Sequence, residues 1–351
     1  MRWSTLLAIF VVAGLLGAGI GTLAGLNWHG HLPSLTAASS NGGPVVVDIT
    51  TSVTTGNGSG QAAGTGLVLT SSGLVLTNNH VIEGSTKITV MLPQAADSFS
   101  ASVVGVDPKA DIAVLQVEGV KGWQVTSFAD SSHASVGQAV SAEGNALGVG
   151  GAPRVSTGKI TALAQTITAG GTLAGPEQLD GLIQFDATVV PGESGGPLLD
   201  AQGQVLGMIT ASSGNGDLPS QPAYAIPSNA ALAVVRQIEG GYASADIILG
   251  QVGYMGIVAQ NLDAASASQL GLAVQSGVLV VSVGAGSPAS AAGIRPGDVI
   301  VGAAGTTIST QTELRSILDK YKPGDQVQVD WMDAQATTHS AELTLTTGPA
   351  V

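Results

Sequence analysis

The chain has 351 residues, no cysteine and a formal net charge of −13 at pH 7. The lack of cysteine excludes disulfides, thiolate zinc sites and a cysteine nucleophile. The acidic balance, with no cluster of Lys or Arg, argues against binding to nucleic acid. Two folded domains fit this length. Many short runs rich in Val, Ile, Leu and Thr, with an aromatic content of only 3%, predict a mainly β fold.

The N-terminus carries an apolar stretch, Leu6 to Leu26, of 21 residues without a charge. A helix of this length crosses a hydrocarbon core of ~30 Å. Arg2 precedes the stretch and the next basic residue is Lys87, so the positive-inside rule places the N-terminus in the cytoplasm and the rest outside. We predict a single-pass anchor in the cell membrane over residues 1–28. A cleaved signal peptide, which has a shorter apolar region, is the alternative.

Residues 29–44 are small and polar without periodicity, which is typical of a linker. From residue 45, short apolar runs alternate with Gly-, Asn- and Ser-rich turns, as in β-barrels and sandwiches. A helix capped by Ser228 is predicted to close this domain, which we place at residues 45–240. The predicted strands are 45–49, 66–69, 74–77, 88–91, 101–106, 112–117, 139–142, 157–164, 182–186, 196–199 and 205–210.

The remaining residues, 250–348, are predicted to form a small α/β domain. Four predicted strands, 256–260, 277–283, 298–303 and 326–332, surround one clear helix. Thr310 and Glu313 have the spacing of a capping box. One apolar stripe follows at helical spacing and must bury against the sheet. It consists of Leu314, Ile317, Leu318 and Tyr321.

Ser194 lies in a glycine-rich segment, Pro191 to Pro197, where the backbone can turn sharply and direct N–H groups at a reacting carbonyl oxygen. Serine needs a base to act as a nucleophile. Of the five histidines, His80 is the best candidate, because it follows the apolar strand 74–77 at a strand end from which a side chain can enter a cleft. His29 and His31 lie in the linker, whereas His133 and His339 lie in polar segments.

Asp111 leads directly into the apolar strand 112–117, where a carboxylate can orient an imidazole. Taken singly, a Gly-x-Ser-Gly-Gly segment is usually a turn and an Asp before a strand is usually solvated. The three residues nevertheless follow the order His, Asp, Ser, which distinguishes chymotrypsin-type double barrels from subtilisins and α/β-hydrolases. We therefore interpret His80, Asp111 and Ser194 as a catalytic triad.

Six segments after residue 45 are characteristic in their sequence and order: Gly64–Leu69, Leu76–Ile82, Asp111–Leu115, Ile183–Ala187, Pro191–Pro197 and Ala225–Asn229. In these segments the chain resembles the HtrA/DegP family of serine proteases with a trypsin-like fold. This resemblance implies a double β-barrel, with His80 as general base, Asp111 as its orienting carboxylate and Ser194 as nucleophile. The resemblance also implies an oxyanion hole from the N–H groups of Gly192 and Ser194, and a substrate pocket walled by Val189, Met208, Ile209 and Thr210.

Two residues depart from the family pattern. Glu193 stands where the family usually has Asn, and Glu143 replaces an expected apolar residue. We expect the negative charge of Glu193 to slow turnover, unless a partner or solvent screens it. The loop before Gly64 is short and lacks the aromatic residues through which relatives form trimers, so a homo-oligomer, and a trimer in particular, stays open.

The last domain resembles a PDZ module, most specifically over Pro288–Ile300. The resemblance implies that the loop of Tyr254, Met255, Gly256 and Ile257 receives the C-terminal carboxylate of a peptide. The peptide would add as a strand beside residues 256–260 and face Leu314 and Ile317. A packing domain without a ligand is the alternative.

Together these features predict a membrane-anchored serine endopeptidase outside the cytoplasm that needs no metal or organic cofactor. Unfolded or damaged proteins and peptide C-termini are the expected partners, as in protein quality control. The alternative is a binding or scaffold protein in which the triad is silent and the PDZ module recruits partners.

Overall fold

The computed structural model describes residues 46–55, 58–93, 97–145, 148, 151–172, 175–212 and 222–350. The predicted anchor and linker lie outside these residues. No helix in the described part of the chain is long and apolar enough to cross a membrane. The chain divides into two compact units, and the boundary falls between Leu249 and Gly250.

The first unit begins with a ring of antiparallel strands. Their order is β5-β4-β1-β2-β3-β6, and β6 pairs back with β5, which closes the ring. A one-turn helix, α1 (Asn79–Ile82), follows β3 and contains His80. The strands are β1 (Val46–Thr55), β2 (Gly58–Val68), β3 (Leu74–Thr77), β4 (Ser85–Met91), β5 (Ser98–Asp107) and β6 (Ile112–Val117).

A second closed barrel follows, with the order β10-β11-β12-β9-β8-β7. The helix α2 (Ser228–Glu239) comes directly after its last strand, and β13 (Ile248–Leu249) then pairs with β5. The expectation of a mainly β, trypsin-like double barrel is thereby confirmed. Its strands are β7 (Ala139–Gly144), β8 (Arg154–Thr172), β9 (Gly175–Phe185), β10 (Pro197–Leu199), β11 (Val205–Ser212) and β12 (Ala223–Pro227).

Two of the apolar clusters formed by the described residues of this unit lie in and beside the second barrel. One fills the second barrel and includes Phe185, Leu198 and Ile209. The other joins residues of both barrels to α2 and includes Leu76 and Met208. The burial of one such side chain stabilises the folded state by roughly 1.5–3 kcal/mol relative to its exposure to water. The junction of the two barrels is therefore a packed interface that can hold groups from both in fixed positions.

The predicted cap of α2 is wrong. Pro227 occupies the N-cap position, and Ser228 is the first helical residue. The Ser228 hydroxyl instead donates to the carbonyl oxygen of Ala129 at 2.6 Å. The Ser228 hydroxyl therefore bonds to an acceptor far away in the sequence and not to the N–H groups at the start of the helix.

The second unit contains the antiparallel sheet β15-β16-β17-β19-β20. The predicted capping box of Thr310 and Glu313 is confirmed at the start of α5. The Leu314 stripe packs into the core with Val280, Ile300 and Trp331. The elements are β14 (Gly253–Tyr254), β15 (Ile257–Leu262), α3 (Ala264–Leu270), β16 (Gly277–Val283), α4 (Pro288–Ala292), β17 (Val299–Ala303), β18 (Thr306–Thr307), α5 (Gln311–Leu318), β19 (Gln326–Met332), β20 (Thr338–Thr344) and β21 (Thr346–Thr347).

Candidate active site

His80 and Asp111 form a double contact at the end of the first barrel. The Nδ1 atom of His80 lies 2.9 Å from Oδ2 and 3.1 Å from Oδ1 of Asp111. The backbone N–H of His80 also donates to Oδ1 at 3.0 Å. The imidazole therefore meets the carboxylate through Nδ1, which assigns proton transfer to Nε2.

Asp111 is buried, and its backbone lies in the left-handed region with φ 54°. Aspartate tolerates this conformation better than most residues. Its carboxylate also accepts a hydrogen bond from the Thr210 hydroxyl at 2.5 Å, in addition to the two donors of His80. Asn78 holds the Asp111 carbonyl oxygen at 3.1 Å. With both oxygens bonded, the carboxylate can be buried and still keep one orientation.

Thr210 connects this pair to Ser194. Its hydroxyl donates to Asp111, and its carbonyl oxygen lies 3.5 Å from the Ser194 hydroxyl. Thr210 lies on β11 of the second barrel, whereas Asp111 precedes β6 of the first. One residue therefore contacts both Asp111 and Ser194, and the three predicted triad residues converge at the barrel junction.

The loop before Ser194 presents two backbone N–H groups. Gly192 has φ +94°, a conformation that strongly favours glycine. The N–H groups of Glu193 and Gly195 donate to Val190 and Ile209 carbonyls. Within the described residues, the N–H groups of Gly192 and Ser194 have no acceptor. These two donors are the ones expected to form an oxyanion hole.

Glu193 is 1% exposed and is paired within the chain. Its Oε1 accepts from Arg154 Nη1 at 2.9 Å, and its Oε2 accepts from the Val190 N–H at 2.9 Å. Burial raises the pKa of Glu193, and the bonds from Arg154 and Val190 oppose that rise. The negative charge expected to disturb the site therefore has a partner, Arg154 at the start of β8.

Glu143 is the second departure from the family pattern and lies on β7, next to the Gly144 that packs against Glu193. It is 7% exposed, and none of the described residues donates a hydrogen bond to its carboxylate. Burial alone raises the pKa of Glu143 to about 7. An ionised carboxylate at this position would be desolvated without compensation.

We expect Glu143→Gln to raise stability at pH 8 but not at pH 5. The folded state holds the proton more tightly than the unfolded state, whose pKa is near 4.5. The stability that protonated Glu143 contributes is therefore fully present below pH 4.5. It is lost as the pH rises through about 7, which lowers the free energy of unfolding by about 3 kcal/mol. Thermal unfolding of the parent and Glu143→Gln at both pH values checks this.

Glu118→Gln, at an exposed residue, is the control and should behave as the parent does. Asp48, whose pKa burial raises to about 6, adds a pH dependence of the same sign that the substitution leaves in place. A parent and a Glu143→Gln variant with equal slopes of unfolding temperature against pH would contradict the assignment.

The predicted pocket residues are all buried. Val189 and Ile209 pack in the second-barrel cluster, and Met208 packs in the cluster that joins the barrels. The Thr210 hydroxyl is bonded to Asp111. The side chains of Met208, Ile209 and Thr210 are therefore engaged in the interior.

The remaining described histidines lie apart from this cluster. His133 has an 84% exposed side chain and lies 3.6 Å from Asp130. His339 bonds to Asp333 at 2.8 Å and stacks on Trp331. His29 and His31 fall outside the described residues. Among the described residues, no group of three or more His, Asp or Glu side chains could hold a metal ion.

The predicted carboxylate-binding loop of the second unit has its carbonyls turned inward. Those of Met255 and Gly256 accept from the N–H groups of Ala289 and Gly284. In a trans peptide the N–H points opposite to the carbonyl, so the N–H groups of Gly256 and Ile257 point away from these partners. Both donors are thus turned away from the groups that hold the carbonyls, and anion binding requires donors that are free in this way.

The helix α5 lies beside the strand β15, and the Gln311 side chain at its start donates to the Ala259 carbonyl oxygen of β15 at 2.5 Å. β15 is the edge strand of its sheet. Ile257 and Ile317 are partly buried against the core that holds Leu314, and Tyr254 is half-buried. Gly256 has φ +83°, and a Cβ there would lie 2.2 Å from Ser287 Cβ. An extended peptide could therefore pair with β15 while an apolar side chain meets α5.

Comparisons with known proteins agree with this architecture. Residues 64–208 match a trypsin-like peptidase domain, and residues 253–339 match a PDZ domain. The chain is 36% identical to a serine protease Do-like HtrA of Lactobacillus helveticus over 76% of this chain and 64% of that protein. It is 34% identical to a probable periplasmic serine endoprotease, DegP-like, of Rhizobium meliloti over 81% of this chain and 53% of that protein.

A solved structure of the HtrA-type protease AlgW with a decapeptide is 26% identical, with a TM-score of 0.48, and the match covers 88% of this chain and 97% of that one. The chain spans between about half and two thirds of the length of the two curated relatives above. It carries a trypsin-like peptidase domain followed by one PDZ domain. It is a homologue of the serine proteases named HtrA and DegP-like.

Sequence reasoning missed two features of this site. Thr210 was assigned to the pocket, but its hydroxyl supports Asp111. Arg154 was not singled out, because the sequence does not show that Glu193 is buried or which residue it pairs with. Spacing gives no signal for either contact, since the partners lie 99 and 39 residues away.

Proposed function

We propose that this protein is a serine endopeptidase that hydrolyses peptide bonds through an acyl-enzyme. The observation that carries the proposal is the contact of Thr210 with both Asp111 and Ser194, while Asp111 holds His80 through Nδ1. His80 accepts the Ser194 proton at Nε2 as the hydroxyl oxygen attacks the carbonyl carbon. The same proton then passes to the leaving amine, and water releases the acyl group by the reverse sequence.

The chain stabilises the charge that develops on the carbonyl oxygen through backbone donors. The N–H groups of Gly192 and Ser194 are the donors without an acceptor in the described structure. Such donors act most strongly where they are fixed before the reaction. The Thr65 hydroxyl holds the Gly192 carbonyl at 2.9 Å, and the Thr65 N–H holds the Ser194 carbonyl at 2.8 Å.

We propose that the protease works outside the cytoplasm, anchored by residues 1–28, on unfolded or damaged proteins. The charge pattern around Leu6–Leu26 supports the orientation. The DegP-like relatives are named as periplasmic proteases, which supports the compartment.

The proposed function is tested with a fluorophosphonate probe and casein as a flexible substrate. A protease should carry the probe on Ser194 and degrade casein, and prior labelling should block degradation. A scaffold protein with a silent triad should bind casein-derived peptides but show neither labelling nor cleavage. That second pattern would overturn the assignment as an enzyme.

We further propose that the PDZ domain binds peptides with a free, apolar C-terminus. The outward N–H groups of Gly256 and Ile257 would hold the carboxylate, and Leu314 and Ile317 would contact the last side chain. The edge position of β15 allows a peptide to pair with its outer backbone groups, of which the Ala259 carbonyl is already bonded to Gln311.

We expect Ile317→Asp to weaken the binding of a peptide that ends in Val by at least ~10-fold, because it places a charge beside the bound carboxylate and the apolar side chain. Fluorescence anisotropy of a labelled peptide measures the affinity. Leu270→Asp, at an exposed leucine at the end of α3, is the control and should bind normally. Equal affinity for the same peptide with an amidated C-terminus would contradict the carboxylate site.

A further inference from the structure

We propose that Arg154 is a positioning residue for catalysis. Its guanidinium would hold in place both the loop that presents the oxyanion donors, residues 190–194, and the adjacent pocket wall at Thr188 and Val189. This proposal rests on the proposed protease function. Arg154 touches neither Ser194 nor His80 in the described contacts, so its effect would pass through the loop that it holds.

The guanidinium makes two contacts through one nitrogen. Nη1 of Arg154 donates to Glu193 Oε1 at 2.9 Å and to the Thr188 carbonyl oxygen at 3.0 Å. Thr188 precedes the pocket residue Val189, and Glu193 lies between the two oxyanion donors Gly192 and Ser194. A single cation therefore restrains both ends of residues 188–193.

Other contacts reinforce both ends of this segment. Ser156, on the same strand as Arg154, donates its hydroxyl to the Thr188 carbonyl at 2.7 Å. Glu193 Oε2 accepts from the Val190 N–H at 2.9 Å. The Glu193 side chain thus bridges from β8 back to the middle of its own loop. Arg154 is the charged partner in this network.

The two partners of the Arg154–Glu193 ion pair differ in their exposure to solvent, so the loss of Arg154 would affect Glu193 strongly. The Arg154 side chain is 30% exposed, whereas that of Glu193 is 1% exposed. Removal of one partner of a buried pair leaves an uncompensated charge, which is more destabilising than the pair itself is stabilising. Without Arg154, the Glu193 carboxylate would be expected to turn toward water.

Such a turn would move the donors. Glu193 lies between Gly192 and Ser194 in the chain, and Gly192 has the backbone freedom of a glycine at φ +94°. Rotation of the Glu193 carboxylate out of its site would reorient the peptide groups on either side of it. The N–H of Ser194, which belongs to the second of these peptide groups, would then point away from the reacting oxygen, while the side chains of His80 and Asp111 stayed in place.

The test compares Arg154→Met, Arg154→Lys, Glu193→Gln and the double variant Arg154→Met/Glu193→Gln in the full-length protein. Arg154→Met should lower kcat for a peptide substrate by up to ~10²–10³-fold, the range of a lost oxyanion donor, and raise KM much less. Arg154→Lys keeps the charge but not the planar fork, and should lose part of that activity. The double variant should exceed Arg154→Met in kcat by at least ~5-fold, since no buried carboxylate remains unpaired.

The pH profile separates positioning from a merely structural role. In Arg154→Met, protonation of Glu193 removes the need for a counter-charge. The ratio of its kcat to that of the parent should therefore rise as pH falls from 8 to 6. The same ratio for the double variant, which has no carboxylate at residue 193, should stay constant. Arg236→Met, at an exposed arginine of α2, should match the parent throughout.

Circular dichroism and thermal unfolding show which variants are folded at the assay temperature. If Arg154→Met does not fold, Arg154→Lys and Glu193→Gln carry the test. A parent value of kcat in folded Arg154→Met or Arg154→Lys would overturn this proposal but not the proposed function. A loss of activity that only follows the folded fraction would do the same. An inactive parent protein would contradict the proposed function, and with it this proposal.

Discussion

Replacement of Ser194 by alanine is expected to abolish casein cleavage while the protein stays folded. The substitution removes one hydroxyl whose only contact in the described structure is the long one to the Thr210 carbonyl, 3.5 Å away. The loss of a single weak contact should change stability by less than ~1 kcal/mol. The loss of the nucleophile should lower kcat on the order of 10⁶-fold.

His80→Ala should be nearly as inactive as Ser194→Ala, because residues of a triad act as a unit and their losses do not add. His133→Ala, at an exposed histidine, is the matched control and should retain parent activity. Initial rates of casein cleavage and fluorophosphonate labelling measure all three variants. Hydrolysis by a clean Ser194→Ala preparation would refute the mechanism, and an inactive His133→Ala beside an active His80→Ala would refute the choice of base.

The second large effect is expected for Asp111→Asn, which should lower kcat by ~10⁴-fold. An amide in place of the carboxylate can present its N–H₂ group to Nδ1 of His80, which favours the wrong tautomer of the imidazole. Asparagine tolerates the left-handed backbone of residue 111, so the fold should persist. Steady-state kinetics at a pH above 8, with unfolding curves, measure both properties.

Asp111→Ala tests the same position without an amide but adds backbone strain at φ 54°. It should therefore lose stability as well as activity. Thr210→Val removes the hydroxyl donor to Asp111, and Thr210→Ser retains it. We expect Thr210→Ser to exceed Thr210→Val in kcat. Full activity of Asp111→Asn would show that another group orients His80.

The sequence alone predicted the mainly β class and the sequence positions of much of the regular structure. Predicted strands at 74–77 and 112–117 coincide with β3 and β6. The capping box of α5 was recognised because Thr310 and Glu313 interact across one helical turn. Such features depend on neighbours a few residues apart, so a linear pattern contains them.

The same is true of the candidate site residues. Ser194 was identified by the glycines around it, and His80 and Asp111 by their places at the ends of apolar strands. These signals depend only on the local backbone conformation around each residue. They indicate which side chains could react, but they contain no distance between the first barrel and the second.

Only the tertiary structure decided which long-range contacts these residues make. It placed the Thr210 hydroxyl on Asp111, took Ser228 from its predicted cap to the Ala129 carbonyl, and paired Glu193 with Arg154. A buried hydroxyl or carboxylate must find a partner, but the partner is set by which strands the barrels bring together. The sequence therefore showed only that the charge of Glu193 must be screened by a partner or by solvent, whereas the closure of the second barrel determined that Arg154 is the partner.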